Sequence, residues 1–191
     1  MLGLLALMEF QSSRLAARHA SDGTAVLLDD QDRSRWDHDR IRRGLAAIAA
    51  AEATGEPMGP YLLQAQIAAC HARARTPVQT DWSKVTFWYD LLAQVAPSPI
   101  VQLNRAVSVG RSHGPHAGLA LLDTINADPK IGGLHLYHAV RGDLLARLGR
   151  HGEARAEFTH AASLTGNESE QALLRRRAAD LPETDMPRQD F

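Results

Sequence analysis

Nine histidines, one cysteine and a run of acids carry most of the reactive chemistry this 191-residue chain has to offer. His135 and His138 stand three residues apart in a segment of helical period, and His113 and His116 repeat that spacing. A three-residue step puts two imidazoles on one helix face, which is half of a zinc site. No Glu-x-x-His or His-Glu-x-x-His pairing supplies the other half. The histidines therefore read as surface residues, and neither a metal nor another cofactor is expected. Cys70 is followed by His71, but neighbours at i and i+1 diverge around a helix, so this imidazole is badly placed as a base for the thiol. No G-x-S-x-G elbow, P-loop or G-x-G-x-x-G turn occurs. No catalytic residue is assigned and no enzymatic activity is expected.

The acidic run lies in Asp22–Asp37, DGTAVLLDDQDRSRWD. As a calcium loop, Asp30, Asp32 and Ser34 would take the first three liganding positions. The sixth would then be Arg35, where glycine is needed, and the twelfth Ile41, where a bidentate glutamate is needed. A structural clasp of Asp29, Asp30, Asp32, Arg33, Arg35 and Trp36 fits better. Asp32 or Ser34 would cap a helix starting near Arg35, Trp36 would fill an apolar gap, and the two arginines would pair with carboxylates across the turn.

These residues need helices to position them. Alanine and leucine dominate and apolar residues recur every three to four positions, the helical period. Turn residues fall at Gly55–Pro60, Thr76–Thr80, Ala96–Pro99, His113–Pro115, Asp128–Gly133 and Gly149–Gly152, leaving short helices joined by short loops. The clearest unit is Leu134–Thr165. Tyr137, Val140, Leu144 and Leu148 line its first helix, Ala154, Phe158 and Ala161 its second, and Gly142 sits where the two would cross closely. An upstream copy uses Ile100, Leu103 and Val107, then Ala117, Leu121 and Pro129. It is offset by slightly more than the ~34 residues of a tetratricopeptide repeat, an excess the loop Pro129–Gly133 can absorb. A more degenerate third pair spans Pro60–Ala74 and Asp81–Val95.

The fold expected is all-α: a tetratricopeptide-like helical-repeat array, a right-handed α-solenoid, with an N-terminal helical segment. As one structural domain it divides into 1–56 with the clasp, 57–166 with the helix pairs, a capping helix over 167–181 and a disordered tail over 182–191. The capping helix has Asn167 as N-cap, with Glu170 three residues on. A core helix is expected over Leu2–His19.

Charge narrows the partners. With 21 Lys+Arg against 22 Asp+Glu the formal net charge is −1, which argues against direct DNA binding by this chain, since phosphate binding needs a concentrated positive surface. The lone cysteine cannot form an internal disulfide and fits a reducing cytoplasm. The opening MLGLLALMEF lacks a basic n-region and is interrupted by Glu9, so neither a signal peptide nor a membrane span is expected. On the first helices of the pairs, Asn104, Arg105, His138 and Arg141 are polar. They would line a groove for an acidic or extended peptide, or else solvate the inner face and bridge adjacent repeats.

Four strings in this order resemble one family: Asp22–Asp37, GPYLLQAQIAACHARA (Gly59–Ala74), TDWSKVTFWYDLLAQVAPSPIVQLNRAVSV (Thr80–Val109) and VRGDLLARLGRHGEARAEF (Val140–Phe158). The chain resembles the C-terminal extension of a bacterial extracytoplasmic-function RNA polymerase sigma factor, a DUF6596-like segment followed by tetratricopeptide-like repeats. The resemblance implies a cytoplasmic module that regulates transcription initiation by protein contact. It also implies partners: sigma regions two and four of the same protein, RNA polymerase, and a small DGPF-motif protein. The alternative is a stand-alone tetratricopeptide-type scaffold. The promoter-reading regions are not in this sequence, and in that family further helix precedes Met1, which reads here as a truncation. Leu2, Leu4, Leu5, Leu7 and Met8 crowd nearly every face of the first turns. Self-association through Leu2–Phe10, or fraying of this helix, is therefore expected.

Overall fold

Local signals start the helices where they occur. Pro60, Pro99 and Pro115 occupy first-turn positions, where the missing N–H has no intrahelical partner to lose. Asp37, Asp81, Ser98 and Asn167 each accept amide hydrogens from the turn that follows, satisfying donors that every helix start leaves open. The computed structural model describes residues 1–20, 23–126, 131 and 133–183. Among them the chain is all-α: α1 (Leu2–Ser13), α2 (His38–Glu52), α3 (Pro60–Arg73), α4 (Trp82–Val95), α5 (Pro99–Ser112), α6 (Pro115–Ile125), α7 (His135–Arg147), α8 (His151–Leu164) and α9 (Glu168–Ala179). Short 3-10 turns and one isolated bridge between His19 and Ala25 complete the described elements. The tail beyond Glu183 and most of the Pro129–Gly133 loop, Pro129 included, lie outside the described residues.

The helices group into two units, Met1–Pro97 and Ser98–Phe191. In the first, α1 packs against α2 and α3, and α3 also packs against α4. Ala6, Phe10, Trp36, Ile48, Leu62 and Ala65 belong to its core. The α3–α4 pair thus belongs with the N-terminal helices in the first unit. Helix α1 is shorter than the expected Leu2–His19. The Ser13 hydroxyl donates to the Phe10 carbonyl at 2.8 Å, and the Ser13 carbonyl accepts from the Asp37 amide at 2.9 Å. A bond from a distant amide replaces continuation of the helix, and Leu15–Ala17 forms a 3-10 turn.

In the second unit α5 packs with α6, α7 against both, α8 against α7 and α9 against α8. Two glycines set the hairpin crossings. A Cβ on Gly142 would lie 2.8 Å from the Phe158 ring, and one on Gly118 would lie 2.9 Å from the Ala106 carbonyl oxygen and the Gly110 Cα. No other residue fits at those separations without displacement. The turn between α7 and α8 is a Schellman motif. Gly149, at φ +74°, donates to the Ala146 carbonyl and Arg150 donates to that of Leu145, both at 3.0 Å. At the start of α9, Asn167 Oδ1 accepts from the Ser169 and Glu170 amides. The reciprocal half of the expected capping box is replaced: the Asn167 amide donates to Thr165 Oγ1 at 3.2 Å, and that hydroxyl donates to Glu170 at 2.7 Å.

Candidate functional site: an arginine–tryptophan clasp

The acidic segment folds as two 3-10 turns, Leu28–Asp30 and Arg33–Arg35. Asp32 caps the second. Its Oδ1 accepts from the Ser34 amide at 2.9 Å and the Ser34 hydroxyl at 2.6 Å. These bonds, the hydroxyl's foremost, hold its carboxyl below the usual range, with Arg35 adding a smaller attraction. Helix α2 is capped by Asp37, not by Asp32 or Ser34, because it begins at His38 and not near Arg35.

Arg33 departs most from expectation. Among the described residues its hydrogen bonds go to no carboxylate, and Asp29 acts on it only through space. Its Nη1 donates to the carbonyls of His71 at 2.8 Å and Ala74 at 2.9 Å, and its Nη2 donates to Thr80 Oγ1 at 3.2 Å. The carbonyls lie at the C-terminal end of α3, where oxygens have no intrahelical donors and the helix dipole favours a cation. The side chain is buried, and burial draws its pKa down while Asp29 opposes the shift. Trp36 is 4 % exposed, inside the first core, and the Arg33 Cζ stands 5.2 Å from its ring centroid, within cation–π range. Of the other clasp candidates, Asp29 is half-buried, Asp30 is exposed, and Arg35 is exposed and acts on Asp32 through space without bonding it. The clasp is thus an arginine bound to a helix end more than a carboxylate network.

Three residues unmarked in the sequence reading complete this surroundings. Arg14 stands 5.9 Å from the Trp36 centroid. Arg14 Nη2 and Arg18 Nη2 both donate to Gln11 Oε1, the second at 2.7 Å. Their i,i+4 spacing would place both on one face of the helix expected over Leu2–His19, but the helix ends at Ser13 and both side chains reach back to Gln11 from beyond it. Beside the clasp lies an open cleft of about 520 Å³ lined by Arg33, Trp36, His38, Arg73 and Arg75 among others, with no acid in its lining.

In the second unit, His138 and Arg141 converge on an acid the sequence reading did not single out. His138 Nδ1 is 2.7 Å from Glu157 Oε2, and Arg141 Nε donates to Glu157 Oε1 at 3.0 Å. Arg141 Nη1 reaches Asp123 at 2.8 Å. Burial lowers the Arg141 pKa, but Asp123 and Glu157 outweigh it and raise it overall. This network ties α6, α7 and α8 together, the bridging role. Asn104 is exposed on α5 and Arg105 half-buried. The paired histidines have separate engagements: His135 Nε2 lies 3.2 Å from Glu170, and His113 Nδ1 lies 2.7 Å from Ser112 Oγ. Among the described residues no three His, Cys, Asp or Glu side chains cluster as metal ligands. Cys70 is buried, which raises its thiol pKa, and His71 stacks edge-on against Trp82 at 5.3 Å. No helix among the described residues is long and apolar enough to cross a membrane.

Residues 1–52 match the model of a family of unknown function, DUF6596. Across 175 residues the chain is 46 % identical to an uncharacterized protein of Rhizobium meliloti (strain 1021), which covers 92 % of this chain. The chain spans 41 % of that relative's length. No solved structure matches.

Proposed function

We propose that this chain is a non-enzymatic protein-interaction module: the C-terminal regulatory extension of an extracytoplasmic-function sigma factor. It acts on transcription initiation by contacting sigma regions two and four, RNA polymerase or a small DGPF-motif partner in the cytoplasm. The observation that carries the reading is the repetition in the second unit, where α5–α6 and α7–α8 are consecutive hairpins, each closed over a glycine. Stacked hairpins of this kind build tetratricopeptide-like arrays, whose concave faces hold extended segments of other proteins. Asn104 and Arg105 lie on the first helix of one hairpin, and His138 and Arg141 on that of the next. The relative's much greater length also suits a module joined to other domains. A rigid array of this kind would bias sigma regions between two placements by binding one better than the other.

The test is titration of this chain against purified sigma regions two and four from the same protein, followed by calorimetry. Saturable binding, weakened by Asn104→Asp with Arg105→Glu, is expected. Absence of binding to those regions and to core polymerase would leave the stand-alone scaffold as the better reading.

A further inference from the structure

We propose that Arg14 and Arg18, with Arg33 beside the same Trp36 indole, form a binding site for an oxyanion of the phosphate class. Two guanidinium groups converge on a single neutral oxygen, Gln11 Oε1, and a third lies against the same indole as Arg14. An amide oxygen has two lone pairs, so two arginines saturate it and it brings no negative charge. Arg18 adds one long bond, 3.4 Å, to the Gln11 carbonyl. Each guanidinium carries five N–H donors, and among the described residues Gln11 is the acceptor recorded for the Arg14 and Arg18 side chains. Among the described residues neither arginine pairs with a carboxylate.

Among the described residues, the nearby acids Glu9 and Asp37 have other partners. Glu9 binds Arg43 at 2.9 Å and Arg40 at 3.3 Å, and Asp37 caps α2. Asp29 acts on Arg33. The electrostatic consequence is visible at Arg14. Burial, then the charges of Arg18 and Arg33, draw its pKa down to about 10. It remains protonated at neutral pH, at a cost in repulsion and lost hydration that a bound anion would relieve.

The anion's class follows from the charge and the geometry. Two half-buried guanidiniums and a third whose charge reaches Arg14 favour a dianion over a monoanion, and a tetrahedral oxyanion can accept from several N–H groups at once. Arg33 serves as a fixed positive background, because its Nη atoms are already bound to α3 and Thr80. The site lies wholly within the first unit and is independent of the protein-interaction reading above.

The test uses the full chain and inorganic phosphate. Calorimetric titration at pH 7.5 and fixed ionic strength should give one saturable site, and acetate should bind more weakly. Arg14→Gln with Arg18→Gln should weaken phosphate by more than about tenfold, since two charge-assisted hydrogen-bonding groups are lost. Arg42→Gln, at a side chain 75 % exposed, should bind as the parent does. Phosphate stabilises many proteins by exclusion from their surfaces, so a parallel thermal melt compares parent and double variant in phosphate and in chloride. An added stabilisation in phosphate that only the parent shows supports the site. No phosphate heat, equal binding of acetate, or equal phosphate stabilisation of parent and double variant would overturn it. If the double variant fails to fold, Arg18→Gln alone replaces it with the same readouts.

Discussion

Arg33 donates to the carbonyl of His71, 38 positions further along the chain, at 2.8 Å. One buried guanidinium thereby closes the C-terminal end of α3 and pins the 3-10 turn Arg33–Arg35 against it. Arg33→Met should leave the His71 and Ala74 carbonyls without this donor and cost about 2–4 kcal/mol. Arg33→Lys should recover only part, because one ammonium cannot reproduce the planar fork. Urea denaturation measures both, and an unchanged midpoint for Arg33→Met would contradict the role assigned here.

Trp36, 4 % exposed, is the apolar half of the same clasp. Trp36→Ala should cost about 3–5 kcal/mol, with Trp36→Phe losing less because a ring remains in the gap. Equal midpoints for Trp36→Ala and the parent would place the indole outside the core.

The clasp also shows what could be read from the sequence. Burial of Trp36, the all-helical class, the Asn167 cap and the close crossing at Gly142 follow from residue type and period, which act locally. The partners of Arg33 do not. Two are backbone carbonyls and the third is Thr80, so no charge pattern marks them, and the acids nearby in sequence drew the pairing toward carboxylates. Glu157 was missed for a related reason. Its neighbours His138 and Arg141 lie on the preceding helix, and only the α7–α8 crossing brings the three together.

Gly118→Ala should destabilise more than Gly142→Ala. At Gly118 the new methyl would meet backbone atoms at 2.9 Å, whereas at Gly142 it would meet the Phe158 side chain at 2.8 Å. A ring can shift by tenths of an ångström, and two helix backbones must separate. Overpacking of this kind costs about 1–3 kcal/mol, and chemical denaturation of the two variants gives the order.

Acid should weaken the first unit in a defined window. Hydrogen bonds from Arg43 hold Glu9 below its ordinary 4.5, and amide bonds from Arg40 and Asp39 hold Asp37 below 3.8. A carboxyl with a lowered folded pKa contributes its full stability above the unfolded value and loses it as pH falls through the folded one. Melting temperature should therefore be level above about pH 5 for these groups and fall below about pH 4.5. Glu9→Gln with Asp37→Asn should start lower and fall less. A parallel acid limb in parent and variant would contradict this.

The outer face of α1 carries Leu4, Leu5 and Met8 at 39, 50 and 58 % exposure, while Ala6 and Phe10 are buried inward. Clustered apolar side chains favour association. Light scattering should show mass rising with concentration, and Leu5→Glu with Met8→Glu should abolish the rise. A strict monomer at every concentration would contradict it.

The most direct measurement of the proposed function is run-off transcription from a promoter of the proposed sigma factor. Core polymerase would be loaded with sigma regions two and four, with this chain either joined to them or omitted. A change in transcript yield of several-fold on joining the chain, reversed by Asn104→Asp with Arg105→Glu, is the predicted result. Identical yields with and without the chain, at saturating polymerase and promoter, would contradict a role in transcription initiation.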